Sequence, residues 1–408
     1  MLNRSSEQFR GPIFILLWGM ENIKEKACLC ALNRIFGFEP KVALELISRL
    51  GSASAVFDLT SKELDGLLAG PFFKYKGQIC PQAVENEADE LEKLSLMDIS
   101  FCGWTDEHYP ELLKECEDPP VGIYIRSRTP VEELWKPSCN IAVVGTRDIS
   151  PYGTEWCTRV VKALSQTDVR PTIISGLALG TDITAHRTAL ENGLPTIGIM
   201  ATGPDSVYPG RHRAFAEQMV CTPGCALVSD YPPGTAPVAL NFLRRNRIIA
   251  GLSNATLLIE SKIRGGGMMT CRLAYSYNRD VYALPGRADD LRSQGCNDLI
   301  RRKIAEPITS EKELIDSLGL KYRQTNRAAT LESRLAAHYA GTLPDEQMRI
   351  MKAIVQTIRK HRSVCLEDIS NQIGSSYRTV AELTAILEID GFICIDLLQR
   401  CSINYKNV

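Results

Sequence analysis

Residues 172–200 read TIISGLALGTDITAHRTALENGLPTIGIM, and this stretch decides the fold. It opens with a short run of apolar and β-branched residues, Thr172–Ser175. A glycine-containing turn and an amphipathic segment of helix length follow, and the stretch ends in a second apolar run, Thr196–Met200. Two such runs separated by a helix-length segment predict a pair of parallel strands joined by a covering helix.

The same alternation continues on both sides of this unit. Further runs of strand type are Ile141–Gly145, Ala226–Ser229, Thr256–Glu260 and Val281–Leu284. The sequence therefore predicts an α/β fold, a Rossmann-like doubly wound sheet of mostly parallel strands with helices on both faces. In sheets of this type, ligands bind at the carboxyl ends of the strands.

The flanking segments predict further domains. Residues 1–20 are a candidate disordered extension, and 21–100 show helical spacing between glycine and proline breaks, as in a small helical domain of SAM or helix-hairpin-helix type. The Rossmann-like domain is expected over 101–310 and a polar linker over 311–343. Residues 344–408 combine three helical segments with a short hairpin, which predicts a winged-helix domain. That last segment holds eight Lys/Arg and eight Asp/Glu, so binding to duplex DNA and binding to protein stay equally open.

Composition narrows the class of protein. The 408 residues have a net charge of -1, but residues 141–304 contain 16 Arg and 3 Lys against 13 acidic residues, a net +6. Arginine suits forked contact with phosphate. The 14 cysteines form no CxxC pair, which indicates reduced thiols and a cytoplasmic protein. No run approaches the ~20 apolar residues that a membrane span needs.

Four clusters of glycine, arginine and lysine follow predicted strands. They are Gly145-Thr146-Arg147, Ser175–Asp182, Asn241–Ser253 and Glu260–Thr270. Backbone amides at a helix start attract anions, so each cluster is a candidate phosphate site. The glycine spacing matches neither GxGxxG nor GxxxxGK[ST], which argues against a nicotinamide dinucleotide or a Walker-type ATPase. Asp182 and His186 stand four residues apart, and a structural hydrogen bond is favoured over an acid/base pair.

Taken in order, the motifs resemble those of the DNA-processing protein family, the Smf or DprA proteins of bacteria. The matching segments are Val144–Arg147, Ser175–Asp182, Ala185-His186, Tyr208-Pro209, Phe242–Ser253, Glu260 with Gly265–Thr270, Pro285-Gly286 and Gly295–Ile300. Three positions depart from the family pattern. Leu243 replaces a proline, Leu179 replaces a frequent arginine, and Arg264–Met269 replaces a serine-containing loop.

The resemblance implies a protein that binds single-stranded DNA, forms a homodimer and loads a strand-exchange recombinase, as in natural transformation. It implies no catalytic residue, no metal and no cofactor. Tyr208 or Phe242 could stack on bases. The DNA contacts expected from the resemblance are Arg147, Ser175, Gly176, Arg244, Arg245, Asn246, Arg247, Lys262, Arg264, Gly265, Gly266, Gly267 and Thr270.

Two other functions compete with this interpretation. Related Rossmann-like domains resemble phosphoribohydrolases that act on nucleotides, and Glu260 beside a glycine loop could serve there as a general acid or base. The winged helix instead suggests a transcription regulator, although a neutral tail on a larger basic domain argues against it.

Overall fold

The computed structural model describes residues 12–136, 139–323, 335–336, 338–339, 343–361, 363–396 and 399–404, with side chains from residue 23 onward. The chain divides into two compact units, Met1–Tyr322 and Arg323–Val408. The first unit contains a helical part followed by a nine-stranded sheet.

The helical part begins inside the segment predicted as a disordered extension. Its elements are α1 (Pro12–Ile35), α2 (Pro40–Leu50), α3 (Ala53–Phe57), α4 (Ser61–Leu67), a 3-10 helix over Gly70–Gln78, and α5 (Pro81–Ser95). Proline in the first turn starts α2 and α5, and the Ser52 and Thr60 side chains cap α3 and α4. The prediction of disorder is therefore corrected for residues 12–20, and residues 1–11 lie outside the described part.

The sheet has the strand order β1-β2-β6-β5-β4-β3-β7-β8-β9. Its strands are β1 (Ile99–Gly103), β2 (Gly122–Arg126), β3 (Asn140–Val144), β4 (Thr172–Gly176), β5 (Thr196–Ile199), β6 (Ala226–Ser229), β7 (Ala255–Leu258), β8 (Asp280–Ala283) and β9 (Glu306–Pro307). Strands β3 to β9 pair in parallel, while β2 pairs antiparallel with both β1 and β6. The predicted Rossmann-like, mostly parallel sheet is confirmed. Strands β1, β2 and β9, at the two ends of the sheet, are additions that the sequence pattern did not predict.

Helices cover both faces of the sheet. They are α6 (Glu111–Lys114), α7 (Val131–Leu134), α8 (Pro151–Ser165), α9 (Thr181–Glu191), α10 (Arg213–Cys221), α11 (Ala239–Gly251), α12 (Gly266–Ser276), α13 (Gln294–Arg301) and α14 (Glu311–Ser317). Alternate residues of β3 enter opposite cores: Ile141 and Val143 pack into one, Ala142 and Val144 into the other. Burial on both faces explains why the central strands read as continuous apolar runs.

The connections place a crevice at the middle of the sheet. From β3 the chain builds β4, β5 and β6 outward on one side, and it then returns to add β7 on the other side of β3. At such a reversal of strand order, the loops after the two neighbouring strands diverge and leave an opening at their carboxyl ends. The opening here lies between the loops that follow Val144 and Leu258.

The first unit extends past the predicted start of the linker at residue 311. Helix α14 buries Leu314 and Ile315 in the same core as Ile308, and Tyr322 forms an isolated antiparallel bridge with Thr167. Residues 311–317, predicted as the start of the linker, instead form a helix of the first unit, because the apolar side chains of α14 are buried against the sheet. Residues 324–334 of the predicted linker lie outside the described part.

From residue 343 onward, the described part of the second unit holds three helices and a small sheet. The helices are Asp345–His361, Leu366–Ile373 and Tyr377–Ile389, and the antiparallel strands are β10 (Val364–Cys365), β11 (Ile393–Ile395) and β12 (Arg400–Ile403), in the order β10-β12-β11. This is the element order of a winged helix. Within the described ranges of the whole chain, every helix is too short or too polar to span a bilayer.

Candidate nucleic-acid interface

A cleft of about 760 Å³ occupies the crevice at the switch of strand order. Five segments form its walls: the turn after β3, the loop from β4 to α9, the loop after β5, one face of α11 with the residues just before it, and the glycine loop with the start of α12. The residues that line it are Val144, Gly145, Thr146, Arg147, Asp148, Ala178, Asp182, Tyr208, Pro237, Ala239, Phe242, Leu243, Arg245, Asn246, Ile249, Ser261, Lys262, Arg264, Gly265, Gly266, Gly267 and Thr270. Its volume is that of a ligand pocket, typically ~300–1,000 Å³.

Gly180 holds the turn that carries Arg147. Its φ is +75°, a conformation that favours glycine, and a Cβ at this position would collide with the Thr146 carbonyl and the Arg147 backbone. The Thr181 amide donates to the Thr146 carbonyl at 3.1 Å. The two loops are thus joined backbone to backbone, which fixes the position from which the exposed Arg147 side chain reaches into the cleft.

Aromatic rings and Arg147 form one side of the cleft. The Arg147 guanidinium lies 5.2 Å from the centroid of the Phe242 ring, and the Tyr208 ring stands edge-on to Phe242 at 5.5 Å. Tyr208 is 47% exposed. An exposed ring beside a cation can stack on a base while the cation contacts the neighbouring phosphate.

The glycine loop forms the opposite side. The Ser261 amide donates to the Arg292 carbonyl at 2.7 Å, and the Ser261 carbonyl accepts from the Gly295 amide at 2.8 Å, so the base of the loop is fixed to the start of α13. Lys262 and Arg264 are exposed in the loop, and helix α12 begins directly after it at Gly266. Two exposed cations and the amino end of a helix give this side a positive potential.

The floor of the cleft contains a buried arginine. Arg245 is 5% exposed, and its guanidinium donates to the Ile199 carbonyl. Burial lowers the pKa of Arg245, and the nearby Asp182 carboxylate opposes that shift. Asn246 lies beside it and donates to the Gly266 carbonyl at 3.5 Å. The floor therefore adds a fixed cation and an amide group beneath the exposed residues of the walls.

Four of the predicted contact residues do not line the cleft. The Ser175 hydroxyl is fully buried and donates to the Val143 carbonyl, and Gly176 lies beneath Arg245 and Asp182. Arg244 points to the helical part, where its guanidinium lies 4.1 Å from the centroid of the Phe38 ring and donates to the Gly37 carbonyl. Arg247 is 6% exposed and is paired with Asp230 at 2.7 Å. These positions are corrected from direct contacts to supporting ones.

The remaining predicted residues do line the cleft. They are Arg147, Arg245, Asn246, Lys262, Arg264, Gly265, Gly266, Gly267 and Thr270, although Thr270 is 1% exposed and its hydroxyl donates to the Gly266 carbonyl at 3.5 Å. The sequence interpretation missed the apolar wall made by Ala239, Leu243 and Ile249. The helical spacing of these residues with Phe242 and Asn246 is the signal that identifies their common face.

Glu260 is engaged away from the cleft. Its carboxylate accepts hydrogen bonds from the Ser150 amide at 2.9 Å and from the Ser150 hydroxyl at 2.5 Å, and its side chain is 1% exposed. Glu260 therefore secures the start of α8 and presents no free oxygen to the cleft. This arrangement removes the residue on which the nucleotide-enzyme alternative depends. Within the described ranges, no three His, Cys, Asp or Glu side chains are grouped as metal ligands.

His186 has a structural role, as the sequence interpretation favoured. Its Nε2 donates to the Gly176 carbonyl at 2.6 Å, and its Nδ1 lies 2.7 Å from the Thr196 hydroxyl. The residue is fully buried, and burial lowers the pKa of the imidazole to about 4. These contacts join the end of β4 to β5 beneath the floor of the cleft, and they do not include Asp182.

This burial predicts a pH-dependent stability. Between pH 6.5 and pH 4 the unfolded chain binds a proton at His186 that the folded chain does not bind. The buried neutral His186 therefore makes its full contribution to stability above pH 6.5. As the pH falls toward 4, the free energy of unfolding decreases by about 3 kcal/mol. Urea unfolding followed by tryptophan fluorescence at pH 7 and pH 4 measures this loss, and His186→Gln should show a loss smaller by about that amount. Equal losses in the two proteins would contradict the assignment.

Comparisons with known proteins identify the family of the chain. Residues 100–319 match the family model described as DNA recombination-mediator protein A. The chain is 38% identical to protein Smf of Synechocystis over 229 residues, which is 56% of each protein. It is 30% identical to DNA processing protein DprA of Bacillus subtilis over 298 residues, 71% of this chain and 93% of that protein.

A solved structure is similar as well. The X-ray structure of DNA processing protein A from Streptococcus pneumoniae matches with a TM-score of 0.56 at 28% identity, over 72% of this chain and 95% of that chain. The match to the Synechocystis protein covers little more than half of that relative. The family model spans the whole parallel sheet and every residue that lines the cleft. The chain belongs to the DNA recombination-mediator protein A family.

Proposed function

We propose that this protein binds single-stranded DNA in the cleft and passes the strand to a recombinase. The observation that carries the proposal is the convergence of Arg147, Lys262 and Arg264, all exposed, on one cleft whose wall presents Phe242 and Tyr208. Cations that contact phosphates and rings that contact bases are the two features of a site for single strands.

The size of the cleft favours a single strand over a duplex. A space of about 760 Å³ can admit a few nucleotides of a flexible strand, whereas a duplex is too wide to enter it and keeps its bases stacked inside. Exposed cations on opposite walls can contact successive phosphates, and such contacts carry no base identity. Binding with weak sequence preference follows.

Family membership supports a proposal about the partners. We propose that the protein forms a homodimer and loads a strand-exchange recombinase onto the bound strand, protecting incoming single strands in natural transformation. It would act without catalysis and without a cofactor, as an electrostatic and stacking surface. A cytoplasmic location accords with its 14 cysteines, all of them in the described ranges and all of them free thiols.

A comparison of single-stranded and duplex oligonucleotides tests the proposal. The full-length protein is titrated into labelled strands of equal length, and fluorescence anisotropy is followed at several salt concentrations. We expect a clear preference for the single strand and an affinity that falls steeply with salt, by about 0.7 in the log-log slope per phosphate contact. Equal affinity for both forms, or an affinity independent of salt, would overturn the proposal.

A further inference from the structure

Three exposed arginines form a patch outside the cleft. Arg187 lies on α9, Arg211 in the 3-10 turn Gly210–His212, and Arg213 at the start of α10. Among the described residues, no carboxylate lies within ion-pair distance of any of the three. Exposed cations held in one place without a counter-charge attract an anionic ligand.

The turn that carries Arg211 and Arg213 is anchored to the cleft at two points. Tyr208 lines the cleft itself, and the buried His212 has its Nδ1 2.8 Å from the Leu177 carbonyl, next to the cleft residue Ala178. Arg211 follows Tyr208 by three residues, so their Cα atoms are at most about 11 Å apart. The patch therefore begins within one or two nucleotides of the cleft mouth.

Arg187 extends the patch along the side of the domain. Helix α9 starts at Thr181, beside the cleft, and Arg187 lies about 9 Å further along the helix axis. Its guanidinium is 5.8 Å from the centroid of the Phe215 ring, two residues after Arg213 in α10. Glu217, one turn after Arg213, pairs with Arg126 at 2.8 Å and forms no ion pair with Arg213.

The opposite rim of the cleft differs in charge. There Arg292 is paired with Asp148 at 2.8 Å, and Arg287 with Asp289 at 3.0 Å. Asp148 and Asp289 offset the charge of these two arginines, whereas no carboxylate of the described residues lies within ion-pair distance of Arg187, Arg211 or Arg213.

We propose that Arg187, Arg211 and Arg213 form a second phosphate-binding subsite, over which the strand runs after it leaves the cleft past Tyr208. This inference rests on the proposed function, because it needs a strand in the cleft. It predicts that the double substitution Arg211→Gln/Arg213→Gln weakens binding of long strands and leaves strands confined to the cleft unaffected.

The test compares oligothymidylates of five and twenty nucleotides by anisotropy over a range of salt concentrations. For the twenty-nucleotide strand, the double variant should lose at least ten-fold in affinity, and its salt slope should fall by about 1.4, or about 0.7 for each lost contact. For the five-nucleotide strand, the affinity should stay within two-fold. Lys162→Gln/Lys303→Gln removes the same charge from exposed sites that form no ion pair with the described residues, and this variant should bind both strands as the unchanged protein does.

The outcomes separate the two proposals. Failure of the unchanged protein to bind the twenty-nucleotide strand would overturn the proposed function. Normal binding together with an unaltered salt slope in the double variant would overturn only the second subsite. Equal losses for both strand lengths would also overturn it, because the arginines would then act inside the cleft.

Discussion

Replacing Arg147, Lys262 and Arg264 together with glutamine should lower the affinity for single-stranded DNA by about three orders of magnitude. Each side chain is exposed and lines the cleft, so each can donate a charge-assisted hydrogen bond to a phosphate. Such a bond contributes roughly 1.5–3 kcal/mol, and three at the lower end give a factor of about 10³. The salt slope should fall by about 2, and loading of a recombinase on the same strand should fail with it.

Single substitutions provide the matched control. Arg147→Gln should reduce the affinity about ten-fold, whereas Arg244→Gln should change it less than two-fold. Arg244 stands on the same helix as Phe242, but its guanidinium packs on Phe38 in the helical part and not in the cleft. A loss for Arg244→Gln as large as that for Arg147→Gln would show that the cleft is not the site at which phosphates bind.

The contrast between Arg147 and Arg244 shows that a sequence pattern does not predict which basic side chains enter the cleft. The run Arg244-Arg245-Asn246-Arg247 holds three arginines and an asparagine, and the sequence alone gives all four residues one role. An α-helix turns by about 100° per residue, so four consecutive side chains must point in different directions. In α11, Arg244 points to the helical part, Arg245 and Asn246 to the cleft floor, and Arg247 to a buried carboxylate. Helical spacing from Phe242 would have assigned Asn246 correctly and separated it from Arg244.

The central sheet was predictable for a physical reason. Strands β3 to β8 are covered on both faces, so nearly every residue is apolar and the runs stand out against the amphipathic helices between them. Strands β1 and β2 are buried as well, but only the four-residue helices α6 and α7 follow them, so they fall outside the alternation of strands with helix-length segments. Strand β9 is only two residues long.

The cleft itself was predictable in position but not in composition. Glycines and cations after β3 and β7 marked the strand ends, and the order of strands determines that these ends are neighbours. The apolar wall from α11 depends on how that helix packs over the sheet, which no local motif records. Glu260 illustrates the same limit, because its engagement by Ser150, 110 residues away in sequence, is a tertiary contact.

Arg247→Met should destabilise the first unit by about 3–5 kcal/mol. The guanidinium of Arg247 bonds to Asp230 at 2.7 Å and also to the Asp118 carbonyl, while Asp230 is 5% exposed at its side chain. Removing the cation leaves the Asp230 carboxylate buried without its partner, and this uncompensated charge carries most of the cost. The double variant Asp230→Asn/Arg247→Met should recover part of the loss, because it removes the isolated charge as well.

Urea unfolding followed by tryptophan fluorescence isolates this effect, because all four tryptophans of the chain precede residue 157 and report on the first unit alone. The exposed pair Arg287–Asp289, with side chains 82% and 73% exposed, is the matched control. Arg287→Met should leave the free energy of unfolding nearly unchanged, since solvent screens that pair. Similar costs at Arg247 and Arg287 would mean that the buried pair does not support α11. If Arg247→Met lost DNA affinity while keeping full stability, Arg247 would instead be part of the DNA-binding surface.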